Sequence, residues 1–188
     1  MHGTVLSRIK ELCRQKYPEH NLNGHLLPTV AIALRLADKY NAEKQIVEAG
    51  AYLHDIARVM AGKNKYLGAF HDITGSMYSA VLLLYYGCGL SETIKISRCV
   101  LTHGNRFRPR SLEEEVVMNA DAISHLEGYK YLLEIRAVHH PYESAEDVRK
   151  WVLRKLENSW SSKITLEGIK EELGRLYDRI KIEIGEQR

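Results

Sequence analysis

Residues 46–58, IVEAGAYLHDIAR, form an unusually apolar stretch of this chain. The spacing of its apolar side chains predicts a helix over residues 42–59, with Asn41 as its N-terminal cap. Ile46, Val47 and Leu53 are large, and the intervening alanines are small. A helix that is apolar around most of its circumference is buried by its neighbours, so we expect it at the centre of a bundle.

Helical patterns continue on both sides of this stretch. Strand-type alternation appears nowhere along the chain, so we predict an all-α fold in which residues 1–188 form one domain. Gly128 is expected to bend or break the helix that begins after Ser111, and Ser144 is expected to cap the next one. The predicted helices cover approximately residues 5–13, 24–40, 42–59, 70–86, 91–103, 111–138 and 166–184, and one further helix begins at Ser144.

Composition excludes several classes of protein. Hydrophobic residues make up 45% of the chain and charged residues 27%, as in a soluble globular domain rather than a disordered chain, a collagen or a disulfide-rich miniprotein. The net charge of +3 is too small to argue for nucleic acid binding, so no nucleic acid partner is expected.

Cysteine usage and hydropathy bear on the compartment. Cys13, Cys88 and Cys99 are far apart and form no CxxC pair, which favours buried, reduced thiols in a cytoplasmic protein. The first residues lack the apolar run of a signal peptide, and no segment approaches the length of a transmembrane helix. We therefore expect no membrane partner.

Histidines and aspartates at the ends of predicted helices form the chemically informative pattern of this sequence. Rigid helices can bring such distant side chains together inside a bundle. Imidazole and carboxylate ligands without a thiolate suit Mn, Fe, Co, Ni or Zn. Six ligands are generous for one ion and reasonable for two. In chain order, the candidate ligands are His25, His54, Asp55, His71, His103 and Asp121.

This order, H…HD…H…H…D, resembles the HD-domain superfamily of metal-dependent phosphohydrolases. The segment AYLHDIAR at 51–58 is similar to the motif around the family's His-Asp pair, and HDITGS at 71–76 resembles its next helix start. VLTH at 100–103 and NADAI at 119–123 resemble the last two pieces. The resemblance covers residues 24–128, which would be the metal-binding core, with flanking helices in 1–20 and 143–188.

The resemblance implies an HD-type helical bundle with a metal centre. By position, His25, His54 and Asp121 would share one ion with Asp55, and Asp55 would bridge to a second ion. The second ion would be held by His71 and His103, so two divalent metal ions are expected as cofactors. The likeness is to small bacterial and archaeal HD hydrolases that act on nucleotides, which implies a small phosphorylated substrate.

Basic residues near the ligands are candidates for substrate binding. Arg58 stands where relatives have a lysine near the substrate phosphate, and we assign it to both substrate binding and catalysis. Asp55, besides being a metal ligand, is a catalytic candidate. Arg106 and Arg108 follow His103 in an Arg-x-Arg-x-Arg loop that suits bidentate phosphate contacts.

Two further residues near the His-Asp sequence segments are candidates for substrate binding or catalysis. Lys63, in the loop after the His-Asp pair, is a further substrate-binding candidate. Asp72 is a catalytic candidate that would orient a ligand imidazole or a water molecule.

Other interpretations stay open at this point. The same ligand order occurs in HD-type enzymes that hold a di-iron pair and activate oxygen, and a regulatory module could keep the metal for stability alone. The loop from Arg106 to Arg110 is equally consistent with a solvated charged loop, and Asp72 with an exposed helix start. The charged, amphipathic terminal helices make a homodimer an expectation.

Overall fold

The structure, a computed structural model, describes residues 3–61 and 70–186. Within those residues all regular structure is helical, which confirms the predicted all-α fold. The chain divides into two compact units, with the boundary between Asp121 and Ala122. None of the described helices has both the length and the apolar character that crossing a membrane requires.

The first unit contains the helices that carry the candidate ligands. In chain order they are α1 (Gly3–Lys16), α2 (Glu19–Asn21), a π-helical turn (Leu22–Leu26), α3 (Leu27–Tyr40), α4 (Lys44–Leu53), α5 (Ile56–Ala61), α6 (His71–Tyr85), α7 (Leu90–Thr102) and most of α8 (Leu112–Glu127).

Helix α4 occupies the predicted central position of this unit. It packs against α1, α3 and α7, and Ile46, Val47 and Leu53 are completely buried. Gly50 allows α7 to approach closely, because a Cβ atom at this position would lie 2.7 Å from the Cβ of Cys99. The apolar stretch at 46–53 therefore forms the core that supports the ligand-bearing helix ends.

The prediction of one continuous helix over residues 42–59 is wrong, because the helix is interrupted at His54 and Asp55. Helix α4 ends at Leu53, the chain turns at His54 and Asp55, and α5 begins at Ile56. The His54 Nδ1–H donates a hydrogen bond to the carbonyl of Ala51 at 2.7 Å, and this local bond accompanies the turn. The apolar pattern carries no signal for such a side-chain bond.

Helix caps follow the sequence in some places and depart from it in others. Ser111 and Ser144 each accept a hydrogen bond from the backbone N–H three residues later, as predicted. Asn41 does not cap the helix that follows it. It ends α3 instead, in the left-handed conformation with φ of 58°, and its N–H bonds to the carbonyl of Ala37.

The second unit consists of the end of α8 and three further helices. These are α9 (Tyr129–His139), α10 (Ala145–Asn158) and α11 (Ile169–Glu186), with a π-helical turn at Ser159–Lys163. The helix breaks at Gly128, as predicted. Trp160 stacks on Tyr177 with ring centroids 4.4 Å apart.

Candidate metal centre

Two groups of side chains in the first unit offer ligand atoms close enough to share a metal ion. The first cluster comprises His25, His54 and Asp121, and the second cluster comprises Asp55, His71 and His103. In each cluster the three ligand atoms lie within 4.8 Å of one another. All six candidate ligands from the sequence are thus brought together in two adjoining groups.

The first cluster has the spacing of a metal-binding triad. The Nε2 atoms of His25 and His54 are 3.1 Å apart, and Asp121 Oδ1 lies 3.3 Å and 3.7 Å from them. Ligand atoms that surround one ion at about 2.1 Å, with angles of 90–109°, are about 3.0–3.4 Å apart. The donor types suit a divalent transition metal, and two of the three separations lie in this range, while the separation of 3.7 Å between His54 and Asp121 is slightly wider.

Asp55 faces both clusters at once, one oxygen to each. Its Oδ2 lies 3.9 Å and 3.8 Å from Nε2 of His25 and His54. Its Oδ1 lies 3.5 Å and 3.4 Å from Nε2 of His71 and His103. This is the arrangement that a carboxylate needs to bridge two cations.

The same local bond orients a histidine in each cluster. His54 directly follows the last residue of α4, and His103 directly follows the last residue of α7. Each ring donates its Nδ1–H to the carbonyl three residues earlier, of Ala51 at 2.7 Å and of Val100 at 2.6 Å. This fixes the tautomer, so the Nε2 lone pair points toward the other ligands.

His25 is presented by the π-helical turn at Leu22–Leu26, immediately before α3. Such turns are rare and occur frequently at functional sites, because the extra residue shifts a side chain out of the regular helical register. The regular helix predicted over residues 24–40 includes His25, so the π-helical turn was not predicted. The ring of His25 lies edge to face against that of His54, with centroids 5.1 Å apart.

The electrostatics favour ligand-competent protonation states at neutral pH. Burial lowers the pKa of His54 to about 4, and burial lowers that of His71 to about 4 as well. Burial alone would raise the pKa of Asp55, but the charge of the Arg58 guanidinium holds it well below its usual value. The two imidazoles are therefore neutral and the carboxylate is charged, as metal ligation requires.

Two of the candidate arginines lie at the second cluster. Arg58 donates from Nε to Asp55 Oδ1 at 2.8 Å and from Nη2 to His71 Nε2 at 2.9 Å. Arg106 donates from Nε to Asp72 Oδ2 at 2.9 Å and lies over the ring of Phe70. Asp72 is buried and directly follows His71 in α6.

The remaining candidates are less closely tied to the clusters. Asp72 bonds to Arg106 and to the backbone N–H of Ile73, and no described hydrogen bond joins it to a ligand imidazole. Arg108 is exposed on the same loop as Arg106. Lys63 lies outside the described residues. The predicted catalytic and substrate-binding roles of these residues stay predictions.

Sequence reasoning missed Tyr17, which directly follows the last residue of α1. The residue is 7% exposed, and its hydroxyl has no hydrogen-bond partner among the described residues. Burial, followed by the charge of Asp55, raises the pKa of this phenol well above its usual value. The helical pattern indicates burial here, but proximity to Asp55 depends on how α1 packs.

Comparison with known proteins shows the family to which the chain belongs. A sequence model of the HD domain matches residues 23–126, more than half of the chain and all six clustered ligands. The chain belongs to the HD domain family. The histidines and aspartates that carry the family resemblance are therefore the same residues that lie together in the two clusters.

Two curated relatives of this HD domain chain are both named Ribonuclease Y. The protein from Acidothermus cellulolyticus is 28% identical over 160 residues, which are 79% of this chain and 30% of the relative. The protein from Borrelia garinii subsp. bavariensis is 31% identical over 127 residues, which are 66% of this chain and 23% of the relative. The chain therefore spans less than a third of the length of these relatives.

A solved structure shares the fold. It is the crystal structure of a predicted HD superfamily hydrolase from an uncultured Thermotogales bacterium, with a TM-score of 0.55. The alignment covers 81% of this chain and 90% of that protein, at 20% sequence identity. At this identity the likeness supports the HD domain fold alone.

Proposed function

We propose that this HD domain is a metal-dependent phosphohydrolase that cleaves a phosphate ester or anhydride of a small, nucleotide-like substrate. The observation that carries the proposal is the position of Asp55. Its two oxygens face different histidine pairs, so one carboxylate can serve two cations. Paired divalent ions are a recurrent solution for phosphoryl transfer.

The residues of the two clusters would hold the metals. The first cluster with Asp55 Oδ2 supplies one ligand set, and the second cluster, which includes Asp55 Oδ1, supplies the other. Histidine and carboxylate donors without a thiolate suit Mn, Fe, Co, Ni or Zn. When bound, such ions supply Lewis acidity and lower the pKa of a coordinated water to near neutrality.

Arginine side chains at the second cluster would bind the phosphate. Arg58 presents a planar fork whose geometry matches two phosphate oxygens, and half of its side chain is exposed to solvent. Asp72 and Phe70 hold Arg106 in a defined orientation, so less side-chain entropy is lost when a phosphate binds. The two guanidinium groups can thus offset the charge that develops on phosphoryl oxygens.

A second candidate substrate is the phosphodiester backbone of RNA. The name of the two curated relatives favours it, and both candidates involve hydrolysis at phosphorus. The mild net charge of +3 favours a small substrate instead, because RNA binding depends strongly on positive surface charge.

The experiment that tests the proposal compares metal content and hydrolysis in the same protein preparations. Wild type, His54→Ala and Asp121→Ala are loaded with Mn²⁺ or Co²⁺ and assayed on nucleoside monophosphates, dinucleoside polyphosphates and short RNA. We expect metal-dependent hydrolysis by wild type, and loss of bound metal and at least 100-fold lower activity in both variants. His139→Ala is the control, because His139 is exposed and lies in neither cluster.

Three outcomes would contradict the proposal. Wild-type metal content and turnover in His54→Ala would remove the site from the mechanism. Retained iron with oxygen consumption and no ester hydrolysis would favour the oxidative alternative. Metal binding without hydrolysis of any phosphate ester would favour the regulatory module.

The homodimer expected from the terminal helices and the cytoplasmic location stay predictions.

A further inference from the structure

The Arg58 side chain bonds to two atoms that belong to the second cluster. Its Nε is 2.8 Å from Asp55 Oδ1, and its Nη2 is 2.9 Å from His71 Nε2. A guanidinium has no acceptor, so both N–H groups donate and His71 Nε2 accepts through its lone pair. Arg58 therefore fixes the His71 tautomer in which Nε2 is unprotonated.

His71 Nε2 cannot serve two cations at once. An imidazole nitrogen has a single in-plane lone pair, which goes either to the Arg58 N–H or to a metal ion. Asp55 Oδ1 can accept the Arg58 hydrogen bond and bind a metal ion at the same time, because a carboxylate oxygen has two lone pairs. The conflict between Arg58 and a metal ion is thus located at one atom, Nε2 of His71.

The geometry points to Arg58 as an internal competitor for the second metal ion. We propose that an ion binds to Asp55, His71 and His103 only as the Arg58 guanidinium leaves His71, so that metal loading releases Arg58 toward the substrate phosphate. The first cluster does not share this conflict, since none of the described hydrogen bonds of Arg58 involves His25, His54 or Asp121.

Arg58 has the properties that such a role needs. Half of its side chain is exposed, so the guanidinium can move into solvent without an opening of the core. The side chains of His71 and Asp55 are mostly buried; His71 is the first residue of α6, and the carbonyl of Asp55, which directly precedes α5, accepts a hydrogen bond from the backbone N–H of Arg58. The mobile partner of the pair is therefore the arginine, and the ligand atoms stay in place.

Arg58 should couple the binding of phosphate to the binding of the second metal ion. A phosphate that binds the released guanidinium favours the state in which His71 is available, so phosphate and the second metal ion should strengthen each other's binding. The coupling requires Arg58 and is reciprocal. This inference rests on the metal centre in the proposed function, but it does not depend on whether the protein hydrolyses any ester.

The test is a calorimetric titration of Mn²⁺ into metal-stripped protein without substrate, with bound metal counted independently by elemental analysis. Wild type is compared with Arg58→Gln, which keeps a polar side chain but removes the cation. We expect the second ion to bind about tenfold more tightly in Arg58→Gln, since a charge-assisted hydrogen bond no longer opposes it, and the first ion to bind as in wild type. Inorganic phosphate should tighten binding of the second ion in wild type and not in Arg58→Gln.

Two further variants complete the test. Arg106→Gln removes an equal charge from a residue bonded to Asp72 rather than to the clusters, and its metal affinities should change by less than twofold. Arg58→Lys keeps the charge without the fork and should give an intermediate affinity. Unchanged or weaker binding of the second ion in Arg58→Gln would overturn the inference. Failure to hydrolyse any ester would leave these metal affinities as they are and would count against the proposed function alone.

Discussion

The Tyr17 hydroxyl is buried without a hydrogen-bond partner among the described residues. Burying an unsatisfied polar group costs about 1–3 kcal/mol, so Tyr17→Phe should raise the free energy of unfolding of metal-stripped protein by about 1 kcal/mol. Urea unfolding measures this. Tyr142→Phe is the control, because Tyr142 is fully exposed and should leave stability unchanged. A less stable Tyr17→Phe protein would show that the hydroxyl has a bonded partner in solution.

Asp72 is a buried carboxylate that accepts a charge-assisted hydrogen bond from Arg106. Asp72→Asn has nearly the same shape but loses the charge-assisted bond to Arg106. We therefore expect KM for the phosphate substrate to rise about tenfold, with kcat and bound metal close to wild type. Steady-state kinetics and metal analysis measure these quantities.

A double-mutant cycle sharpens this prediction. Arg106→Gln should raise KM by a similar factor, and the double variant should be no worse than either single one, because both changes remove the same interaction. A fall in kcat with KM unchanged in Asp72→Asn would instead assign this residue to the chemical step, in line with the catalytic role predicted for it.

At the scale of elements, the helices follow from the sequence and their irregular ends do not. Apolar periodicity and the capping serines predicted the helices around residues 5–13, 70–86 and 111–138 within a few residues. The break at His54 and the π-helical turn at Leu22–Leu26 escaped prediction. Both are set by local hydrogen bonds that leave the hydrophobic pattern unchanged, and both present ligands.

The contact between α4 and α7 depends on Gly50. A Cβ atom there would lie 2.7 Å from the Cβ of Cys99, so Gly50→Ala must push two buried helices apart. We expect a loss of stability of about 1–3 kcal/mol, measured by urea unfolding. The matched control is Gly174→Ala in α11, where no atom lies within 4 Å and helix propensity predicts a gain of about 0.5–1 kcal/mol. A neutral Gly50→Ala would mean that the α4–α7 contact relaxes freely.

The contact of α1 with α4 predicts a pH dependence. Cys13 donates its thiol hydrogen to the carbonyl of Tyr52, and burial raises the pKa of this thiol from 9.0 to about 12. Between these pH values the unfolded thiol loses its proton while the folded one keeps it, so rising pH favours unfolding. The contribution is fully present below pH 9 and falls by about 1.4 kcal/mol per pH unit above it.

Comparison of wild type with Cys13→Ser isolates this contribution from other groups that titrate in alkali. Serine keeps a small donor for the Tyr52 carbonyl but does not ionise in this range. The stability of wild type, followed by urea unfolding from pH 8 to pH 11, should decline more steeply than that of the variant. Equal slopes would show that the Cys13 thiol ionises as readily in the folded chain as in the unfolded one.

For the molecule as a whole, the ligand identities follow from the sequence, but their contacts with Arg58 do not. The order of histidines and aspartates, each near a helix end, predicted all six members of the two clusters. The bond between Arg58 and His71 joins residues 13 positions apart, and it depends on how α5 and α6 are arranged. The division into two units was not predicted either, and the single domain over 1–188 stays a prediction.

Hydrogen exchange with and without Mn²⁺ addresses that division. All six ligands lie within residues 1–121, so metal binding stabilises states in which the first unit is folded. At a free metal concentration 100 times Kd, exchange of the most protected amides in α3, α4 and α7 should slow about 100-fold. Amides in α9, α10 and α11 should be unaffected, and the slowing should be weaker in His54→Ala, which lacks one ligand of the first cluster. Equal slowing in both units would show that they open as one cooperative body, as the single-domain prediction requires.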